Sequence, residues 1–178
     1  MLKKQPKTTI MSEFIQLPLI SEKLFKQHSP VTSNTDISEF VPYIGIAQEL
    51  HIAPLLGEAL MAEIRQQVSE NKLSTTNSDL ILKIAPALSF YAVYQALPFH
   101  WATIVNKGIT IRESENSKGV DIKDLAQLRQ WIKNDADVLK QQLRDFLSRC
   151  KANYPLWIEG DGCGEVKKFD TGFYFRKE

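Results

Sequence analysis

The residues best suited to acid–base, nucleophilic or metal chemistry are scattered along the chain. The three histidines, His28, His51 and His100, lie far apart, and no HxxxH or ExxH spacing involves them. Zinc sites usually show such ligand spacings. We therefore predict that His51 ends a helix, that His100 is a hydrogen-bonded residue of a core helix, and that the chain holds no metal.

The carboxylates also lack a pattern that indicates catalysis. Glu113 and Glu115 share a polar loop, while Asp121 and Asp124 share a helix start. Paired acids perform acid–base chemistry when one is buried in a cleft, which raises its pKa. These acids lie in polar runs, and helix capping explains Asp121 more simply. Two acids of the last helix are expected to face water: Asp135 and Asp137.

A glycine cluster near the C-terminus resembles a phosphate-binding loop only superficially. Gly160–Gly164 is followed by Glu165-Val-Lys-Lys-Phe169, without the Lys-Ser or Lys-Thr of a P-loop. We interpret it as a hinge. Cys163 within it and Cys150 before it lack CxxC spacing and are predicted to be reduced thiols. The prediction is that the chain is not an enzyme and has no catalytic, cofactor-binding or metal-binding residues.

An enzyme alternative and a nucleic-acid alternative stay open. A dispersed active site would need His100, Glu113 and Cys163 to converge in the fold. The C-terminal tail mixes aromatic and basic residues, a mixture that suits either single-stranded nucleic acid or a protein partner. We favour protein contact because the net charge is only +1. The tail residues are Lys167, Lys168, Phe169, Phe173, Tyr174, Phe175, Arg176 and Lys177.

Length and composition indicate one domain of an ordinary soluble type. The chain has 178 residues, of which 43% are hydrophobic and 24% charged, enough for a single sizeable core. The N-terminus lacks the continuous apolar stretch of a secretion signal. Residues 87–105 are long enough to cross a bilayer, but Gln95 and Pro98 lie within them. A buried core helix is the preferred interpretation.

Apolar spacing predicts a mainly α fold: a compact bundle of four to five helices with a long C-terminal helix. Ser21 caps a short helix that ends near His28, a helix spans about 42–51, and Pro54 opens the next, with Gly57 in its first turn. A third helix starts near Ser78 or Asp79. Its Pro86 and Pro98 are expected to kink or divide it.

Asp121 is predicted to cap the long last helix, about 122–150, whose core stripe includes Leu128 and Leu143. The predicted organisation is a flexible N-terminal arm at 1–17, a helical domain at 18–157 and an irregular tail at 158–178. A short β-hairpin or an ordered loop is expected near 106–120, where Gly108 and Gly119 flank a β-prone segment.

One segment resembles a known family. Residues 40–57, FVPYIGIAQELHIAPLLG, resemble the opening of the small helical head–tail connector proteins of tailed phages and prophages. The likeness includes the Pro42-x-Ile44-x-x-Ala47-Gln48 start and the Leu-Leu-Gly57 junction, followed by Glu58-Ala-Leu. It continues loosely through the aromatic helix 87–101, the segment 106–109 and the last helix to Trp157.

The resemblance implies a structural role and no active site. Such a protein forms a ring of identical subunits between the portal protein and the tail or neck proteins, with DNA passing through without sequence-specific contacts and with no membrane partner. It would be found in the host cytoplasm during assembly and then in the virion. The alternative is a small helical interaction or regulatory module that binds a non-virion partner.

Overall fold

The described part of the chain is built mainly of helices. The structure is a computed structural model that describes residues 17–105, 108–111 and 121–159. The predicted mainly α bundle with a long C-terminal helix is confirmed. Its elements are α1 Glu22–His28, α2 Val41–Ala47, α3 Ala53–Leu56, α4 Glu58–Ser69, α5 Thr75–Trp101, β1 Ala102–Val105, β2 Gly108–Ile111 and α6 Ile122–Arg149.

Helix α5 forms the centre of the bundle. It packs against α1, α2 and α6, and its buried residues face all round the helix, as the nearly continuous apolar sequence predicted. It is long and apolar enough to cross a membrane, which holds for no other helix in the described ranges. Because 61% of its most apolar stretch is buried inside the bundle, core packing accounts for this composition.

The two prolines do not divide α5. The helix runs without interruption from Thr75 to Trp101 through both Pro86 and Pro98, so of the predicted kink or division, the division does not occur. A mid-helix proline costs about 3 kcal/mol, but Ile84 and Leu88, on either side of Pro86, are fully buried. Their packing outweighs the lost hydrogen bond.

Pro54 lies in the first turn of α3, as predicted, but no break separates α3 from α2. Helix α2 passes through a π-helical turn, Gln48–Ile52, directly into α3. Pro54 cannot donate a hydrogen bond to the carbonyl four residues earlier, and the wider π-helical turn accommodates it. The chain breaks instead at Gly57, whose φ of 78° and ψ of 161° suit only glycine. Gln48 is fully buried, and its Oε1 accepts from the Leu19 backbone N–H at 3.0 Å.

Side-chain caps fix the starts of α1, α5 and α6. The Ser21 hydroxyl accepts from Leu24 N at 3.4 Å and Asp121 Oδ1 accepts from Lys123 N at 3.3 Å, as predicted. Helix α5 begins earlier than expected, because Ser74 caps it by accepting from Asn77 N at 3.1 Å. The buried Asn77 amide then donates to Glu63 on α4, which ties α4 to the start of α5.

The predicted hairpin region is described only in part. Strands β1 and β2 pair antiparallel, with Thr103 opposite Thr110, whereas the rest of the predicted segment, 106–107 and 112–120, lies outside the described residues. The same holds for 1–16 of the predicted arm and 160–178 of the predicted tail. At the end of the described chain, Trp157 is buried and its Nε1 donates to the Leu55 carbonyl at 3.0 Å.

Candidate functional site

An exposed row of residues along α6 is the first candidate for a binding surface, and we call it the acidic flank. Its members are separated alternately by four and three residues, so they form one row along the helix. All are solvent-exposed; Trp131 is 58% and Val138 57% exposed. The acidic flank consists of Asp124, Leu128, Trp131, Asp135, Val138, Gln142 and Asp145.

Leu128 was wrongly predicted to lie in the core. It is 40% exposed, whereas Ile132 and Leu143 of the same predicted stripe are buried. Leu128 lies at the edge of the buried face of α6, where this face borders the acidic flank. The acidic flank therefore carries three large apolar side chains in water, a composition typical of protein-contact surfaces.

The opposite side of α6 is positively charged, and we call it the basic flank: Arg129, Lys133, Lys140 and Arg144. Their spacings of four, seven and four residues place them on one side of the helix. The Arg129 guanidinium lies 4.1 Å from the ring centre of Tyr94, a cation–π contact. Only Asp137 adds a carboxylate to this side of α6.

A polar network joins the basic flank to the π-helical turn. The buried Tyr91 hydroxyl donates to Asp137 Oδ1 at 2.5 Å, and Lys133 Nζ donates to Asp137 Oδ2 at 2.7 Å. On its other side, the Tyr91 ring stacks against His51, with ring centres 3.8 Å apart and planes 4° from parallel. The network thus connects α6, α5 and the π-helical turn through one tyrosine.

The network shifts the protonation of its members. Burial, together with the positive charge of Lys140, lowers the pKa of His51 from 6.5 to about 4. The neutral ring accepts a hydrogen bond from Gln95 Nε2 at 3.2 Å. Burial raises the pKa of Asp137, but the hydrogen bonds from Lys133 and Tyr91 and the positive charges of Lys133 and Lys140 lower it, and the net pKa is below its usual value. Asp137 is therefore ionised and His51 neutral at pH 7.

A groove between α5 and α6 adjoins the acidic flank. It encloses about 470 Å³ and is lined by Leu82, Pro86, Phe146 and Arg149, together with Gln142 and Asp145 of the flank. A neighbouring depression of about 440 Å³ shares Leu82 and Phe146 with it. Half of the lining residues are apolar and half are polar or charged, including Lys83, Asp145 and Arg149, so the groove offers a partner both apolar and charged contacts.

The remaining histidines make other contacts within the described part of the chain. His28, at the end of α1, borders the groove, and His100 stacks on Phe40 with ring centres 4.7 Å apart, with Nδ1 3.6 Å from a Glu39 carboxylate oxygen. Cys150 is a free thiol. Within the described ranges, no three His, Cys, Asp or Glu side chains are placed to hold a metal ion.

Several candidates predicted from the sequence lie outside the described residues. They are Glu113, Glu115 and Cys163, together with the glycine cluster and the aromatic–basic tail. Sequence reasoning missed the network, since nothing in the sequence spacing of His51, Tyr91 and Asp137 indicates their contact. It also missed the acidic flank, although the alternating spacing of Leu128, Trp131 and Val138 was a readable signal.

Comparison with known proteins identifies a family but no relative of known function. No curated protein and no solved structure matches the chain. A family of unknown function, DUF6712, matches residues 52–166, which include α3 to α6 and therefore both flanks of α6. Because this match extends over well more than half of the sequence, the chain belongs to the family DUF6712.

Proposed function

We propose that this chain is a structural protein of a phage or prophage, a subunit of the head–tail connector ring that joins the portal vertex to the tail. The observation that carries the proposal is the acidic flank. Large apolar side chains left in water along a rigid helix mark a surface that another protein covers. The resemblance of residues 40–57 to connector proteins suggests which assembly that is.

The structure of the bundle suits such a role. Helix α6 is 28 residues long, about 42 Å at 1.5 Å per residue, and Ile132, Ala136, Leu143 and Leu147 hold it against the body of the bundle. A contact surface on a long, well-anchored helix needs little ordering on assembly, which lowers the entropic penalty of binding. In this proposal the chain binds copies of itself, the portal protein and neck or tail proteins, and it is not an enzyme.

Electron microscopy of the chain mixed with the portal protein of the same phage or prophage tests this function. Rings stacked coaxially on the portal are expected. A second and independent test is gene neighbourhood, where portal, capsid and tail genes should flank this gene. A chain that never associates with the portal and has no phage genes nearby would refute the proposal.

The second candidate function is an interaction module for a non-virion partner, and the groove between α5 and α6 favours it. Leu82, which lines the groove, is 50% exposed and could receive an apolar anchor from a partner helix. Affinity purification from the natural host separates the two candidates. A tight one-to-one complex with a non-virion protein, with no rings, would favour the module.

A further inference from the structure

We infer that the two flanks of α6 are the two halves of one contact between copies of this chain: the acidic flank of one copy packs against the basic flank of the next. The inference rests on the proposed ring and names the surfaces that would close it. It goes beyond that function, because the resemblance concerns mainly residues 40–57 and says nothing of which surfaces meet.

The placement of the two flanks suits head-to-tail association. Side chains two positions apart on a helix point about 200° apart, so Trp131 and Lys133, or Val138 and Lys140, point to opposite sides of α6. A ring of identical subunits needs two different surfaces on opposite sides of each subunit. The flanks meet this requirement, whereas one self-complementary patch would give a closed dimer.

Charge complementarity indicates that a second copy covers each flank. Asp124, Asp135 and Asp145 are exposed, and none of them forms an ion pair with a residue in the described part of the chain. Arg149 lies one helical turn after Asp145. Its Nε donates to the Asp145 backbone carbonyl at 3.2 Å and not to the Asp145 carboxylate. The exposed carboxylates of this flank can therefore form ion pairs with Lys and Arg side chains of a neighbouring copy.

The basic flank carries more positive charge than its own carboxylate neutralises. Asp137 is engaged by Lys133 and Tyr91, which leaves Lys140 and Arg144 without an ion pair among the described residues. Burial, and then the positive charge of Arg144, lowers the pKa of Lys140, so like charges are crowded here. Carboxylates from a neighbouring acidic flank would relieve this repulsion.

Apolar contacts complete the match between the flanks. Leu50 is 58% exposed and precedes His51, which the polar network fixes beside the basic flank. Ile46, four residues earlier, is 44% exposed. These exposed side chains, on the helical segment that carries His51, are the apolar surface that we assign to Trp131 of a neighbouring copy. Buried aromatic anchors of this kind dominate binding energy at interfaces.

Paired charge reversals in the full chain test the inference. One variant carries Asp124→Lys and Asp135→Lys, a second carries Lys140→Glu and Arg144→Glu, and a third carries all four. Sedimentation velocity at low and at high salt, alone and with the portal protein, measures assembly. Gln130→Lys with Asn134→Lys adds two positive charges on the outer face of α6 between the flanks, whereas the first variant changes the charge by +4. It is the control for positive charge placed outside the contact.

The inference predicts a specific pattern of loss and rescue. Each two-residue variant alone should assemble at least tenfold more weakly than wild type, with unchanged far-UV circular dichroism. The four-residue variant, and an equimolar mixture of the two-residue variants, should regain assembly because opposite charges meet again. The control should assemble like wild type.

Three outcomes would overturn it. If wild type forms rings and every variant does too, the flanks are not the contact, although the proposed ring stands. If wild type never associates, even with the portal protein, the proposed function fails as well. If the variants lose assembly without rescue and the basic-flank variant alone loses binding to a 30-base-pair DNA duplex, the basic flank contacts phosphates and not a second copy.

Discussion

Acidification should destabilise the fold through His51, and this prediction tests the polar network directly. The pKa of His51 is lowered from 6.5 to about 4, so the unfolded chain binds a proton at a pH where the folded chain does not. Because the pKa of His51 is lower in the folded than in the unfolded chain, the neutral ring makes its full contribution to the free energy of unfolding above pH 6.5. This contribution is lost as the pH falls toward 4. Stability should therefore decrease between pH 6.5 and 4.

The size of the effect follows from the pKa shift and the exposure of the ring. A difference of about 2.5 pKa units at 1.36 kcal/mol per unit gives an upper limit of about 3.4 kcal/mol. The His51 side chain is only half-buried, and solvent screening reduces the energy of exposed charges severalfold. We therefore expect a loss of about 1–2 kcal/mol in the free energy of unfolding.

Urea unfolding followed by far-UV circular dichroism at pH 7.5, 6.0, 5.0 and 4.5 measures this loss. The His51→Phe variant keeps an aromatic ring against Tyr91 but cannot titrate, so its stability should depend less on pH over this range. His28→Gln, at the edge of the groove, is the matched histidine control and should follow wild type. An equal pH dependence in wild type and His51→Phe would refute the assignment.

Further predictions concern the core, the break between α3 and α4 at Gly57, the polar network and the acidic flank. Leu143→Ala should destabilise the fold by about 2–5 kcal/mol in chemical denaturation, since it leaves a cavity under α6. Gly57→Ala should cost about 1–3 kcal/mol, because alanine cannot adopt the positive φ there without strain, and an unchanged melting temperature would contradict this. Tyr91→Phe should cost about 1 kcal/mol by removing the hydrogen bond to Asp137, and a double-mutant cycle with Asp137→Asn should show coupling. Trp131→Ser should change unfolding by less than about 0.5 kcal/mol yet weaken assembly; a large loss of stability would place Trp131 in the core.

The helices were largely predictable from local chemistry. The Ser21 and Asp121 caps and the periodic apolar residues of α6 depend on neighbours a few positions away, and the structure places them, apart from Leu128, as expected. The π-helical turn could not be predicted, because two helices joined at Pro54 and one continuous helix with a wider turn share the same apolar pattern. Burial of Gln48 against the Leu19 backbone, a contact distant in sequence, favours the continuous helix.

The candidate surface was harder to predict than the fold. Leu128 fits the core stripe by spacing alone, and only its position at the edge of the α5–α6 contact shows that it faces water. The network of His51, Tyr91 and Asp137 joins residues far apart in the sequence, so it depends on how α6 packs against α5. A single sequence carries no signal for such tertiary contacts. The spacing of charged residues in the sequence does show that one side of α6 is acidic and the other basic.

The most direct test of the central claim is the mass of the wild-type assembly compared with that of a chain whose acidic flank has lost its apolar residues. Mass photometry of both chains with the portal protein of the same phage or prophage would use wild type and the variant Trp131→Ser with Val138→Ser. We predict multisubunit rings for wild type and monomers of unchanged helix content for the variant. Equal mass distributions for the two chains would contradict the claim that this side of α6 is a contact surface.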